Sequence, residues 1–174
     1  QGRGTFVAEH TPAEMLFRFF QFRERSGRRV IPESRAVSTR WGKASRHEAR
    51  KLDLDEGAAV IRHARVRLNK GRPFIYETIV LPEADFPGLG RDGEEIPNTL
   101  YDKFQRDYGI TVESAAEKIG TKAAGKTESR FLDVAEAVPL LVIDRQTFAL
   151  GGGIIEWRLS LCHLAGLHYA VEVG

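Results

Sequence analysis

The sequence predicts an α+β fold, an antiparallel β-sheet flanked by helices, and three observations carry that prediction. Long segments of alternating hydrophobicity recur from Ala58 onward, glycine-bearing turns join most of them, and helix start and stop signals interrupt them at a few points. Strands joined by tight turns pair antiparallel, and the expectation is that the helices pack on one side of the sheet.

The first predicted helix runs from Pro12 to about Arg25. Thr11-Pro12-Ala13-Glu14 offers a threonine N-cap, a proline at the first helical position and a glutamate three residues after the cap. Met15, Leu16, Phe19 and Phe20 fall at helical spacing, Phe17 and Phe22 widen the stripe, and Gly27 stops it. Arg35–Trp41 has the residue types of a strand, and Ser45-Arg46-His47-Glu48 is a capping box opening a short helix to about Leu52. Strands are expected at 58–68, 73–81, 110–123, 139–149, 154–164 and 167–173. Two more helices are expected, one at 98–108 capped by Asn98 and ended by Gly109, the other at 127–134 with Phe131, Leu132 and Val134 on its buried side. The irregular stretch 82–97 is a candidate mobile lid or subunit contact. No internal repeat at a fixed period is read.

Composition narrows the function classes. The 174 residues are 42% hydrophobic and 29% charged, enough for one globular core. The one cysteine, Cys162, excludes an internal disulfide and suits a reducing, cytoplasmic setting. No apolar run reaches the roughly 20 residues that span a bilayer, so no membrane partner is expected. A net charge of +2, from 26 basic and 24 acidic residues, leaves no strong footprint for nucleic acid on this stretch. Arg23, Arg25, Arg28 and Arg29 read as a solvated helix end. No cofactor motif is found: the five histidines lack metal-binding spacing, Gly151-Gly152-Gly153 reads as a hairpin turn, and no nucleophile elbow or Cys–His pair is present.

One segment points to a site. Asn69-Lys70-Gly71 fits a three-residue hairpin loop, which sets Arg65 opposite Ile75 and His63 opposite Glu77. Period-two alternation then projects His63, Arg65, Arg67, Ile75 and Glu77 from one face, while Ala58, Val60, Ala64, Val66 and Leu68 mainly face a core on the other. Two readings of the charged face stand open. It is a solvated outer face with cross-strand ion pairs, or a polar pocket in which two guanidinium groups grip an anion and Glu77 accepts from hydroxyl or amine donors.

Arg65-Val-Arg-Leu-Asn-Lys-Gly-Arg-Pro-Phe-Ile-Tyr-Glu77, followed by Leu81-Pro82 and Phe86-Pro87-Gly88-Leu89, resembles the central signature of the UTRA domain, the ligand-binding module of HutC-type GntR transcription regulators. Matches continue in order through Thr99-Leu100-Tyr101, Tyr108-Gly109-Ile110, Ala115-Ala116-Glu117-Lys118-Ile119, Pro139-Leu140-Leu141, Arg145 and Glu156, covering about residues 35–174. Gly2-Arg3-Gly4-Thr5-Phe6-Val7 resembles the wing that ends a GntR winged helix, so residues 1–10 are expected to be a remnant of that wing and linker, and 11–174 the effector-binding and dimerisation domain. The resemblance implies a chorismate lyase-like sheet, a homodimer and a small anionic metabolite effector. It also implies contact with DNA through an N-terminal winged helix domain absent from this stretch. The implied protein is a repressor and not an enzyme, the alternative being an enzyme of the chorismate lyase-like fold acting on a small anion. Carried over by position, the effector contacts are Arg65, Arg67, Glu77, Thr99, Tyr101 and Glu156.

Overall fold

A computed structural model describes residues 18–172. Its strands are β1 (Phe22–Glu24), β2 (Glu33–Lys43), β3 (Ala59–Asn69), β4 (Arg72–Pro82), β5 (Val112–Ala123), β6 (Pro139–Ala149), β7 (Ile154–Cys162) and β8 (Leu167–Tyr169). Its helices are α1 (Arg46–Leu52), α2 (Leu100–Tyr108) and α3 (Lys126–Leu132). Six strands form one sheet in the order β2-β3-β4-β7-β6-β5, antiparallel throughout, and β1 pairs with β8 in a small second sheet.

That strand order is symmetric, and it exposes a repeat that the sequence reading misses. The unit β2-α1-β3-β4 recurs as β5-α3-β6-β7 with most positions shifted by 80 residues. Glu48 accepts from the Ser45 N–H at 2.7 Å, and Glu128 from the Gly125 N–H at 2.9 Å. Each helix then ends on an aspartate at φ 55°, Asp53 and Asp133, a left-handed cap that aspartate tolerates better than most residues. The Ser45–Glu48 capping box stands as read from sequence.

The helices do not share one side. α1 packs with Val60, Val80 and Trp157, and α3 sits over Leu140, Leu161 and Tyr76, all on one face of the sheet. α2 covers the other face, where Leu100, Tyr101 and Phe104 meet Ile61, Ile79 and Leu81. A central sheet flanked on both faces buries both sets of alternating side chains, which is why β3 and β4 are so little exposed.

Three further expectations are corrected. The predicted helix 12–25 is helical only at Arg18 and Phe19 among the described residues; Phe22–Glu24 is a strand registered on Leu167–Tyr169. There Phe22 packs edge-on against Phe74 and Tyr169, so strand pairing plus aromatic burial overrides the helical spacing. The Asn69–Arg72 turn has two central residues, Lys70 and Gly71 at φ 53° and 75°, with a bulge between Arg67 and Leu68. Positive φ at both positions matches strand twist, and the register becomes Arg65↔Glu77, Arg67↔Ile75 and His63↔Ile79. Because the slip is two residues, the charged face keeps its membership. Finally, the stretch 82–97 is pinned and not lid-like: Phe86, Leu89 and Ile96 are buried against α2, and Glu94 pairs with Lys103. The expectations for residues 1–10 and for the start of the first helix lie outside the described residues. Among the described residues, no helix is long and apolar enough to cross a membrane.

Candidate functional site

The charged face of β3 is neither solvated nor empty. Arg65 and Arg67 are 0% and 2% exposed, and Glu77 between them is 2% exposed. Glu77 Oε1 accepts from Arg65 Nε at 2.5 Å and from Arg67 Nε at 2.9 Å, while Oε2 accepts from the Ser160 hydroxyl at 3.0 Å. On the symmetry-related strands Arg145 lies opposite Arg158. Glu156 accepts from Arg158 Nη2 at 2.7 Å and from the Tyr101 hydroxyl at 2.9 Å. Glu117, on β5, takes Arg145. Four guanidinium groups therefore face three carboxylates, one positive charge in excess.

Where that excess falls follows from the pKa directions. Burial and the neighbouring Arg65 pull Arg67 down to about 9, and burial, aided by Arg158, also lowers Arg65. Arg158 moves the other way, because Glu156 and Tyr101 outweigh its burial. Glu77 lies well below the usual carboxylate range: burial opposes its ionisation, but Arg67, Arg65 and Arg158 together prevail. The under-compensated charge thus sits on the Arg65–Arg67 side. Buried donors without a hydrogen-bond partner stand on both sides, Nη2 of Arg65 and Nε of Arg158. A buried charged donor left unpaired is unfavourable, and an incoming anion would relieve it.

A cleft partly open to solvent lies against these side chains. Its walls include Arg65, Arg67, Arg145 and Arg158 from the sheet, Asn98–Asp102 from the start of α2, and Phe19 and Phe20 from the chain ahead of β1. α2 begins at Leu100 with Thr99 as N-cap, and Thr99 makes no side-chain capping bond. Asn98, expected as the cap, does other work: its Oδ1 accepts from Arg67 Nη1 at 2.7 Å and its Nδ2 donates to the Pro32 carbonyl at 2.7 Å. The uncapped helix start, Thr99–Asp102, lines the cleft, and the first N–H groups of a helix have no intrahelical partner.

Of the six residues chosen from sequence, Arg65, Arg67, Thr99 and Tyr101 line the cleft. Glu77 and Glu156 are not among the residues that line it, and their oxygens are engaged by arginine, serine, threonine and tyrosine. Sequence reasoning missed Arg145, Arg158, Asn98, Asp102, Phe19 and Phe20 as cleft residues. Alternation from Glu156 was a usable signal for Arg158. Nothing local marked Asn98 or Phe19. Among the described residues, no group of His, Cys, Asp and Glu is placed to hold a metal ion.

Comparison with known proteins gives the family and supports the fold. Residues 27–165 match the UTRA domain. The chain is 25% identical to the HTH-type transcriptional regulator YurK of Bacillus subtilis, over 99% of this chain and 71% of that one. It is 30% identical to the HTH-type transcriptional repressor STM4068 of Salmonella typhimurium, over 70% of this chain and half of that one. Among solved structures, the ligand-binding domain of a Bordetella bronchiseptica protein assigned to the GntR family of transcriptional regulators superposes with a TM-score of 0.81 at 26% identity, covering 90% of this chain and 98% of that one. The effector domain of PhnF from Mycobacterium smegmatis superposes at 0.70 with 25% identity, covering 77% and 82%.

Proposed function

The chain belongs to the UTRA domain family, and on that premise we propose that it is the effector-sensing domain of a DNA-binding transcription regulator, whose cleft takes a small anionic metabolite. DNA contact in this reading belongs to an N-terminal winged helix domain, as the HTH-type relatives suggest. The Salmonella relative's name favours a repressor. A homodimer completes the reading, because most soluble homo-oligomers close with two-fold symmetry.

One observation carries the ligand class: Arg65 lines the cleft with an unpartnered, fully buried Nη2 beside the uncapped start of α2. A phosphate or carboxylate placed there accepts from Arg65, Arg67 and backbone N–H groups at once, and charge-assisted bonds of this kind are about twice as strong as neutral ones. The enzyme alternative is weaker because both buried glutamates are held by arginines and neither is free to move a proton.

Calorimetric titration of inorganic phosphate and of small phosphorylated and carboxylate metabolites tests the reading, with Arg67→Lys as the comparison. Lysine keeps the charge but loses the fork that bridges Glu77, Asn98 and the ligand. A tenfold or greater loss of affinity is expected, corresponding to about 1.4 kcal/mol. Equal affinity in the two proteins, or a preference for neutral over anionic compounds, overturns it.

A further inference from the structure

We infer that Arg145 is a positioning residue that latches the backbone of Phe19 across the cleft, making Phe19 and Phe20 a ligand-facing wall whose freedom depends on what the cleft holds. The inference rests on the anion-binding reading above and adds the wall and its latch.

Arg145 is locked from two sides. Its Nε and Nη2 reach Glu117 Oε1 at 2.6 and 2.5 Å, and Glu117 is itself held by the Tyr169 hydroxyl. So oriented, Nη2 donates to the Phe19 carbonyl at 2.5 Å, a bond that spans 126 residues of sequence. Of the four cleft arginines, Arg145 is the one that grips main chain from the segment ahead of β1. The two phenylalanines differ in how firmly they are held. Phe20 is buried with Phe22 and Phe74 and lies under the Arg67 guanidinium at 5.2 Å. Phe19 is only half-buried, and its ring meets Tyr101 edge-on at 5.4 Å. Phe19 is thus held by groups that themselves line the cleft. Outside it, Arg18 Nη2 donates to the Glu113 carbonyl at 2.7 Å, an exposed tie.

A ligand seated between Arg65, Arg67 and the start of α2 shares the cleft with Phe19 and Phe20 and adds contacts to the less firmly held of the two. The wall then loses freedom when the site fills. In sequence, residues 1–17 join the wall through Arg18. Coupling of this kind needs a differential contact between the two states, and the ligand-facing side of Phe19 supplies one.

Hydrogen–deuterium exchange of residues 18–21, with and without inorganic phosphate, tests the latch. In ligand-free protein, Arg145→Met should speed exchange of that segment about tenfold or more while β3, β4 and β7 stay as protected as in wild type, and Arg145→Lys should restore most of the protection. Phosphate should slow exchange of the segment in wild type and lose most of that effect in Arg145→Met. Phe19→Ala, which keeps the carbonyl and leaves Arg145 in place, should weaken phosphate binding several-fold without speeding exchange of the central strands. Wild-type exchange rates for 18–21 in folded Arg145→Met overturn the latch whatever the cleft binds. Heat of phosphate binding with no change at 18–21 overturns the ligand-facing wall alone. No heat and no protection from phosphate or from the metabolite anions overturns the anion site, and the wall's ligand-facing role with it.

Discussion

Neutralising Glu77 separates an orienting carboxylate from a ligand-binding one. Glu77→Gln keeps the size of the side chain and an oxygen that both Nε donors can still reach, so the loss is of charge and not of shape. Around it stand Arg65 and Arg67 within hydrogen-bonding distance and Arg158 at 3.8 Å, all buried. Removing one member of a buried ionic network typically costs 3–5 kcal/mol, and because the amide oxygen remains, the low end, about 3 kcal/mol, is expected. For a domain of this size each kcal/mol moves Tm by roughly 2–4 °C, giving a fall of roughly 6–12 °C in ligand-free protein. The cleft, however, gains a second uncompensated positive charge, so phosphate should bind as tightly as to wild type or tighter. A phosphate concentration 100 times its Kd would return about 2.7 kcal/mol, most of the loss. Thermal unfolding by circular dichroism in chloride and in phosphate, alongside calorimetry, reads both effects. An unchanged Tm together with weakened phosphate binding would refute the orienting role and restore Glu77 as a direct ligand contact.

Other consequences are simpler to state. His63 is buried, with Nδ1 3.0 Å from the Thr39 hydroxyl, and burial together with Arg65 lowers its pKa to about 4 from an ordinary 6.5. Between those values the unfolded chain binds a proton that the folded one does not. The stabilisation is therefore complete above pH 6.5 and is lost as pH falls toward 4, by on the order of 3 kcal/mol; chemical denaturation at pH 7.5 and 4.5 should show this slope in wild type and not in His63→Gln. Gly57 and Ala137 occupy equivalent places in the two repeats at φ 81° and 66°, a region unfavourable for alanine. Ala137→Gly should stabilise by up to about 1 kcal/mol and Gly57→Ala, whose added Cβ meets no atom within 4 Å, should destabilise by about as much, as read from denaturation midpoints. Light scattering of this chain at tens of micromolar should return a dimer mass, and a monomer would remove the dimerisation role.

How far the sequence could be read depended on the range of the interactions involved. The Ser45–Glu48 box, the Gly109 stop and the alternation of β3 and β4 are settled by neighbours a few residues apart, and each stands in the structure. The end of the expected first helix is a strand instead, because the partner that draws Phe22 into it, β8, lies some 145 residues away. Asn98 carried a good capping signal, yet a buried arginine and a distant proline carbonyl made a better use of its amide. For the site, alternation places Arg65, Arg67 and Glu77 on one face, as the structure does, but does not show that the glutamate pairs with both arginines. Residue types alone do not say whether a carboxylate's oxygens are already engaged.

The repeat explains why the cleft is charged where it is. Arg65 and Arg145 are equivalent, but the residue opposite the first is Glu77 and the residue opposite the second is Arg158. In the first unit the counter-charge therefore stands directly across the pair. In the second it has moved outward, to Glu117 on the edge strand and to Glu156 beside Arg158. Burial lowers the pKa of both arginines, but Tyr101 with Glu117 at Arg145, and Glu156 with Tyr101 at Arg158, outweigh it and raise both. Arg65 and Arg67 have to share the single Glu77, and Arg65 Nη2, like Nε of Arg158, goes without a partner. A symmetric arrangement with a glutamate across each arginine would leave less unsatisfied charge at the surface of the cleft. Broken symmetry at one cross-strand position thus produces an anion-seeking side, Arg65 and Arg67 beside α2, and a structurally committed side, where Arg145 can be spent on holding Phe19.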